Sequence, residues 1–423
     1  MGKRFSTRHV AAPLATGLAL VSTPALAQTP LDSWSGYIDI RAAAASGDPS
    51  WLTRGFGKAR YGGDAAGEWA GKFEIAEAAA VWHPRFTENF GAVVHLQYEP
   101  GQEHAVDIIE GYLTYRNSLD ASLKVSAKLG AFFPPVSLEH DAFAWTVNHT
   151  ITPSAINTWI GEEIKVAGVE GTVRHEIGPG ELSFTASAFG ADDTAGTLIA
   201  FRGWALHDQE ATVFGDLPIP RDPKRQAFFS YQDPFSKSMD ELDNRVGGYV
   251  GVTYSGEGYS LSALHFDNGG NRMALDGKQW GWATTFTNFG VSFEPAPGVT
   301  VLSQYMTGET KSGWIMPEAG VPKIVIDAEF SSHYLLAAWD FGLAEIAARY
   351  DGFSVDDQSF VARDNENEEG RAYTVALSRQ FSRRLLGKVE VMEVDSKRPQ
   401  RADAGLSAKD AQTVVQTSLR VDF

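Results

Sequence analysis

The sequence predicts an all-β chain, a transmembrane antiparallel β-barrel of about sixteen strands with one connection folded inward as a constriction loop. Three observations predict it. Segment after segment alternates apolar and polar residues over about ten positions, the length of a tilted strand crossing a bilayer. Most of these runs end in a Gly, Asn or Asp turn. Aromatics reach 12% of the 423 residues, glycines number 42 and cysteine is absent. In a barrel the surplus aromatics have a place, as girdles at the two membrane interfaces.

Taken in order, the chain opens with a positive stretch, Lys3, Arg4 and Arg8, followed by the apolar run 11–21 and Ala25-Leu26-Ala27. That is the pattern of an export signal cleaved before Gln28. Its apolar run falls short of the roughly 20 residues a spanning helix needs. The expected division is a signal peptide over 1–27 and a barrel over 28–423. Cleavage leaves 396 residues and, with three cations removed from a net charge of −17, a charge of −20. Such acidity argues against a nucleic-acid partner.

Alternation then predicts strands over 34–44, 55–62, 72–84, 90–99, 106–117, 123–133, 164–177 and 181–190. It resumes over 245–255, 259–267, 279–295, 299–308, 324–341, 343–353, 371–381, 385–394 and 413–423. In 123–133, Leu123, Val125, Ala127, Leu129, Ala131 and Phe133 point one way and Lys124, Ser126 and Lys128 the other. In the last strand Val415, Thr417, Leu419, Val421 and Phe423 share a face against Val414, Gln416, Ser418, Arg420 and Asp422. A soluble edge ending this way would offer unpaired backbone to any neighbour, and pairing with the first strand removes that problem. No stretch reads as an amphipathic helix of ten residues or more. The connections 191–244, 311–323, 356–370 and 396–409 read as long, mostly polar outer loops, with short turns on the other side. Nothing in the sequence reads as a plug or a second domain.

The connection over 134–163 stands apart. It is too apolar and aromatic for a solvated disordered loop, and loops this long without a pattern of their own are usually functional. Folding inward, it would bury Phe143, Trp145, Ile156 and Trp159 against the wall. Leu129-Gly130-Ala131-Phe132-Phe133-Pro134-Pro135-Val136-Ser137-Leu138-Glu139 resembles the G-x-F-x-P-P-x-S-L-E stretch of the phosphate-selective porin O and P family. The final strand also resembles the C-terminal assembly signature of bacterial outer-membrane barrels, which would engage the barrel assembly machinery through Phe423. The resemblance implies a homotrimer of sixteen-stranded channels in the outer membrane of a Gram-negative cell, in contact with the bilayer and lipopolysaccharide. It also implies a loop entering the channel and a basic ladder that selects anions.

Inward charges set selectivity in a narrow, low-dielectric pore. The candidate lining residues are Arg116, Lys124, Lys128, Glu139, Glu163, Glu170, Arg174, Lys388 and Arg420. Cations beside carboxylates give a transverse field, suited to small hydrophilic solutes, anions among them. The expected function is therefore passive diffusion of such solutes. The alternative is a closed barrel acting as an enzyme or adhesin. No G-x-S-x-G nucleophile motif is present, and the chain reads as no enzyme, with no catalytic residue. His140 and His149 match no helical zinc spacing, so neither a metal nor a cofactor is expected. The acidic run 364–369 reads as a solvated outer loop.

Overall fold

Period-two alternation gives each strand one apolar and one polar face, and sixteen such strands close on themselves in a computed structural model of the chain. The structure describes residues 32–423 apart from 103, 231, 317–320 and 360–364. The expected signal segment 1–27 and its cleavage point lie outside the described residues, as does Asp364 of the acidic run.

The barrel runs β1 (Asp32–Ala45), β2 (Ala70–Pro84), β3 (Phe90–Tyr98), β4 (Val106–Ser118), β5 (Leu123–Phe132), β6 (Val166–Ile177), β7 (Gly180–Gly190) and β8 (Gly247–Gly256). It continues through β9 (Tyr259–Asp267), β10 (Ala283–Ala296), β11 (Val299–Met316), β12 (Val321–Asp340), β13 (Glu345–Asp357), β14 (Glu368–Ser382), β15 (Leu385–Lys397) and β16 (Lys409–Asp422). Each strand pairs antiparallel with the next. Closure comes from β1 against β16, in register from Tyr37 opposite Asp422 to Ala45 opposite Val414. Beyond that ladder Gly36 and Phe423 exchange backbone hydrogen bonds of 3.0 and 2.9 Å.

The two faces separate as alternation requires. On β12 Leu335 and Trp339 are each 54% exposed, whereas Tyr334, Leu336 and Ala338 are buried. On β16 Leu419 and Val421 face outward while Gln416 and Ser418 are buried. The exposed row is the apolar belt a bilayer would cover.

Four expectations need correction. Residues 55–62 form no barrel strand; they lie inside, bridged by Ala59 to Leu206 of another interior connection and held to the wall by Gln412, whose side-chain oxygen accepts from the Lys58 and Ala59 amides at 3.0 Å. Gln279 and Trp280 belong to a two-residue pairing with Leu275–Asp276, and the barrel strand starts later, at Ala283. The connection expected over 311–323 is largely extended pairing of β11 with β12. The connection over 191–244, read as polar and outer, is buried almost throughout from Asp192 to Thr212. It carries two short helices, α2 (Thr197–Phe201) and α3 (Pro223–Phe228), after the nine-residue α1 (Ala155–Glu163) of the preceding long connection.

The interior consequently has an apolar centre. Ile156, Trp159 and Ile160 of α1 meet Trp204 and Leu206 of the second connection. Phe266, Phe286, Met306 and Phe330 of the wall join the same cluster. The Trp159 ring stands edge-on to Phe330, Phe286 and Trp204 at 5.0, 5.5 and 5.9 Å, the arrangement that aromatic quadrupoles favour.

Candidate functional site

Segment 134–163 leaves the wall between β5 and β6 and finds its partners on β11, β13, β15 and β16. Gln304 of β11 accepts from the Leu138 amide at 3.0 Å and donates to the Val136 carbonyl at 2.8 Å. Arg349 of β13 donates to Glu139 (3.0 Å) and to the carbonyls of Thr152 (2.6 Å) and Pro153 (2.9 Å), and its Nε donates to Asp351 (2.8 Å). Glu390 of β15 accepts from the amides of Ile151 and Thr152 at 2.6 and 3.1 Å. Lys388 spends all three of its N–H donors on the carbonyls of Val147, Asn148 and Thr150, at 2.7–3.0 Å. These irregular backbone groups have no ladder of their own, so polar and charged wall residues satisfy them.

The segment then turns into α1. Ser154 caps it, its hydroxyl accepting from the Asn157 amide at 3.3 Å. All nine residues of α1 are buried, which leaves Glu162 and Glu163 needing partners inside. The second connection supplies them. Arg202 forms a fork on Glu162, with Nη2 at 2.6 Å from Oε2, and His207 Nε2 lies 2.6 Å from Oε1. The His207 Nδ1 accepts from the Gln209 amide at 3.2 Å, so the proton sits on Nε2 and points at the carboxylate. Burial works to raise the Glu162 carboxyl, but Arg202 and His207 outweigh it and hold it down at about 2. Glu163 accepts from Trp159 Nε1 and from the amides of Gly196 and Leu198. With no cation beside it among the described residues, it is pushed by burial up to about 7 despite these donors.

A cavity of about 180 Å³ remains between segment 134–163, the second connection and the inward faces of β1, β2, β15 and β16. Three cations line it: Arg41, Lys388 and Arg420. Five carboxylates join them: Asp39, Glu77, Asp208, Glu210 and Asp422. Arg41 bonds both Asp39 and Asp208. Arg420 donates to Asp422 at 2.7 Å and to the Thr146 hydroxyl at 2.9 Å, and its guanidinium lies 3.9 Å from the Tyr37 ring centre. His140, also on the lining, stacks on Trp145 at 3.7 Å, and burial pushes its pKa down to about 3, so it faces the cavity neutral.

The nine sequence-predicted residues fall into three groups. Lys388 and Arg420 are brought together on the cavity. Glu139 and Glu163 are enclosed in the packing of the crossing segment, against Arg349 and Trp159. Arg116, Lys124, Lys128, Glu170 and Arg174 stand on β4 to β6, and none of them lines the cavity. There Lys128 pairs with Glu170 at 3.2 Å, Lys124 with Glu176 at 3.2 Å, and Arg174 with Glu181 at 3.8 Å. The acidic run 364–369, expected in solvent, is another correction. Glu366 pairs with Arg225 at 2.6 Å and Glu368 with Lys58, all four buried.

Asp39, Arg41, Glu77, Asp208 and Glu210 are charged lining residues that sequence reasoning passed over. Arg41 and Asp39 did carry a signal, as charges on the face of β1 opposite Ile38 and Ile40. Asp208 and Glu210 carried none, since their connection has no period.

No family model matches the sequence, and no curated protein matches it. Solved structures do match in fold. An anion-selective porin from Comamonas acidovorans aligns over 93% of this chain and 99% of its own, at 14% identity and a TM-score of 0.52. The outer membrane channel DcaP of Acinetobacter baumannii aligns over 93% of this chain and 97% of its own, at 12% identity and a TM-score of 0.55. The fold is that of the porin-like sixteen-stranded barrels.

Proposed function

We propose that this chain is an outer-membrane channel for passive diffusion of small hydrophilic solutes. The observation that carries the reading is the charged cavity held between the crossing segment and the wall of a closed barrel. A barrel with an apolar outer belt belongs in a bilayer, and charge concentrated where the interior narrows is how pores discriminate among solutes. Lys388 and Arg420 act at this narrowing. The β4–β6 cations, from Arg116 to Arg174, act further round the same wall as a field around the entering solute. Export by the 1–27 signal, assembly through the Phe423 strand, contact with lipopolysaccharide and a homotrimeric state belong to the same reading.

The experiment is refolded full chain in a planar bilayer. Discrete single-channel steps support the channel. The apolar cluster around Trp159 favours a second reading, a closed barrel, for which the same preparation carries no current at any holding potential.

A further inference from the structure

Resting on the channel reading only for how a solute arrives, we propose that the cavity binds a small organic cation through an ammonium group facing Glu77 and Glu210. Charges within this one enclosed space are unevenly matched. Arg41 is already met by Asp39 and Asp208. Asp208 is shared further with Arg60 at 3.2 Å, and the second oxygen of Asp39 accepts from the Ser418 hydroxyl at 2.7 Å. Arg420 is met by Asp422. Lys388 has no donor left after the three loop carbonyls. Every cation on the lining is thus committed to the protein.

Two carboxyls are left without a cation. Among the described residues no lysine or arginine comes within salt-bridge reach of Glu77 or Glu210, although both are more than nine-tenths buried. Glu210 Oε2 has no hydrogen-bond partner at all. The nearby Lys165 ammonium is turned to the Ala211 carbonyl instead. A buried carboxyl without a cation is costly, and here Glu77 and Glu210 both line a cavity with room for several waters or a small solute. An ammonium group brings one positive charge and up to three donors to a pair of carboxyls that no cation meets, one oxygen of which has no donor. An anion entering the same space finds no cation left for it unless Arg41, Lys388 or Arg420 first abandons its partners. The selectivity of this chamber is therefore opposite to that of a basic ladder.

The test is calorimetric titration of refolded full-length protein in detergent with 1,4-diaminobutane, and separately with inorganic phosphate. The expected result is saturable binding of the diamine and none of phosphate. Glu210→Gln and Glu77→Gln should each weaken diamine binding about tenfold or more, as removal of a buried charge partner does. Glu294→Gln, at an exposed position, should leave it unchanged. Folding of each variant is checked by the heat-dependent shift in gel mobility of intact barrels. Should a variant not fold, reversal potential of the unaltered chain in a potassium chloride gradient serves, and a cation-selective sign is required. Phosphate binding, an anion-selective sign, or diamine binding indifferent to Glu210 would overturn the proposal. Diamine binding without any current would sink the channel reading alone; current without diamine binding would sink this one alone.

Discussion

Arg349 joins two parts of the chain far apart in sequence, holding Glu139 from 210 positions away and two carbonyls of the crossing segment besides. Removing one partner of a buried pair leaves the other charged and unpaired, at a cost of about 3–5 kcal/mol. Arg349→Met should therefore lower the urea stability of the refolded barrel by that order, and adding Glu139→Gln should recover part of it. An unaltered transition midpoint in the single variant would show that the pair is solvated. Glu162 gives the corresponding pH dependence. Its carboxyl is depressed from 4.5 to about 2, so its contribution is complete above the unfolded value and is lost as pH falls through the folded one. Stability of the unaltered chain should decline between about pH 4.5 and 2, and Glu162→Gln should flatten that part of the profile. At this scale the sequence was only partly legible. Lys388 and Arg420 stood out as inward charges on readable strands, but nothing local marks Arg349 as the partner of Glu139.

Among the elements, the strands were readable and the interior was not, for one physical reason. A strand announces itself by period two within its own residues, and that pattern located nearly all of the barrel. The second connection has no period, because its burial is decided by distant partners such as Glu162, Glu368 and the Thr284 hydroxyl that donates to the Ala195 carbonyl. A weak signal did exist in aromatics on both faces of one strand: in β10 Phe286 is buried while Phe289 is 50% exposed. An inward Phe in a water-filled lumen would have nothing to pack on, so its presence implies an occupant. Gly203 shows how tightly that occupant fits. Its φ is +80°, and a Cβ there would fall 1.9 Å from Glu368 Oε2. Gly203→Ala should strain the backbone by about 1–3 kcal/mol and push Glu368 off Lys58. The expected readout is a noisier or larger single-channel current at unchanged far-ultraviolet circular dichroism. A current trace identical to that of the parent would mean the connection does not bound the path.

For the whole molecule the decisive contact is where the ends of the sheet meet. Closure abolishes the two edges that an open sheet of sixteen strands would expose. It is made by the longest-range pairing in the chain, β1 with β16, so it pays its loop entropy last. At that seam Gly36 lies under the Phe423 ring, and a Cβ on it would meet ring carbons at 2.5 and 2.7 Å and the Ala79 carbonyl at 2.5 Å. Backbone on one side cannot yield, so the ring must leave. Gly36→Val should then cost about 1–3 kcal/mol through overpacking, concentrated in the seam and not in the interior. The discriminating measurement is refolding into lipid vesicles followed by gel mobility with and without heating. Slow or incomplete appearance of the compact form is expected, with the strands themselves still formed by circular dichroism. If Gly36→Val instead closes at the parental rate, the terminal ring is not part of the seam, and closure rests on the nine-residue ladder from Tyr37 to Ala45 alone.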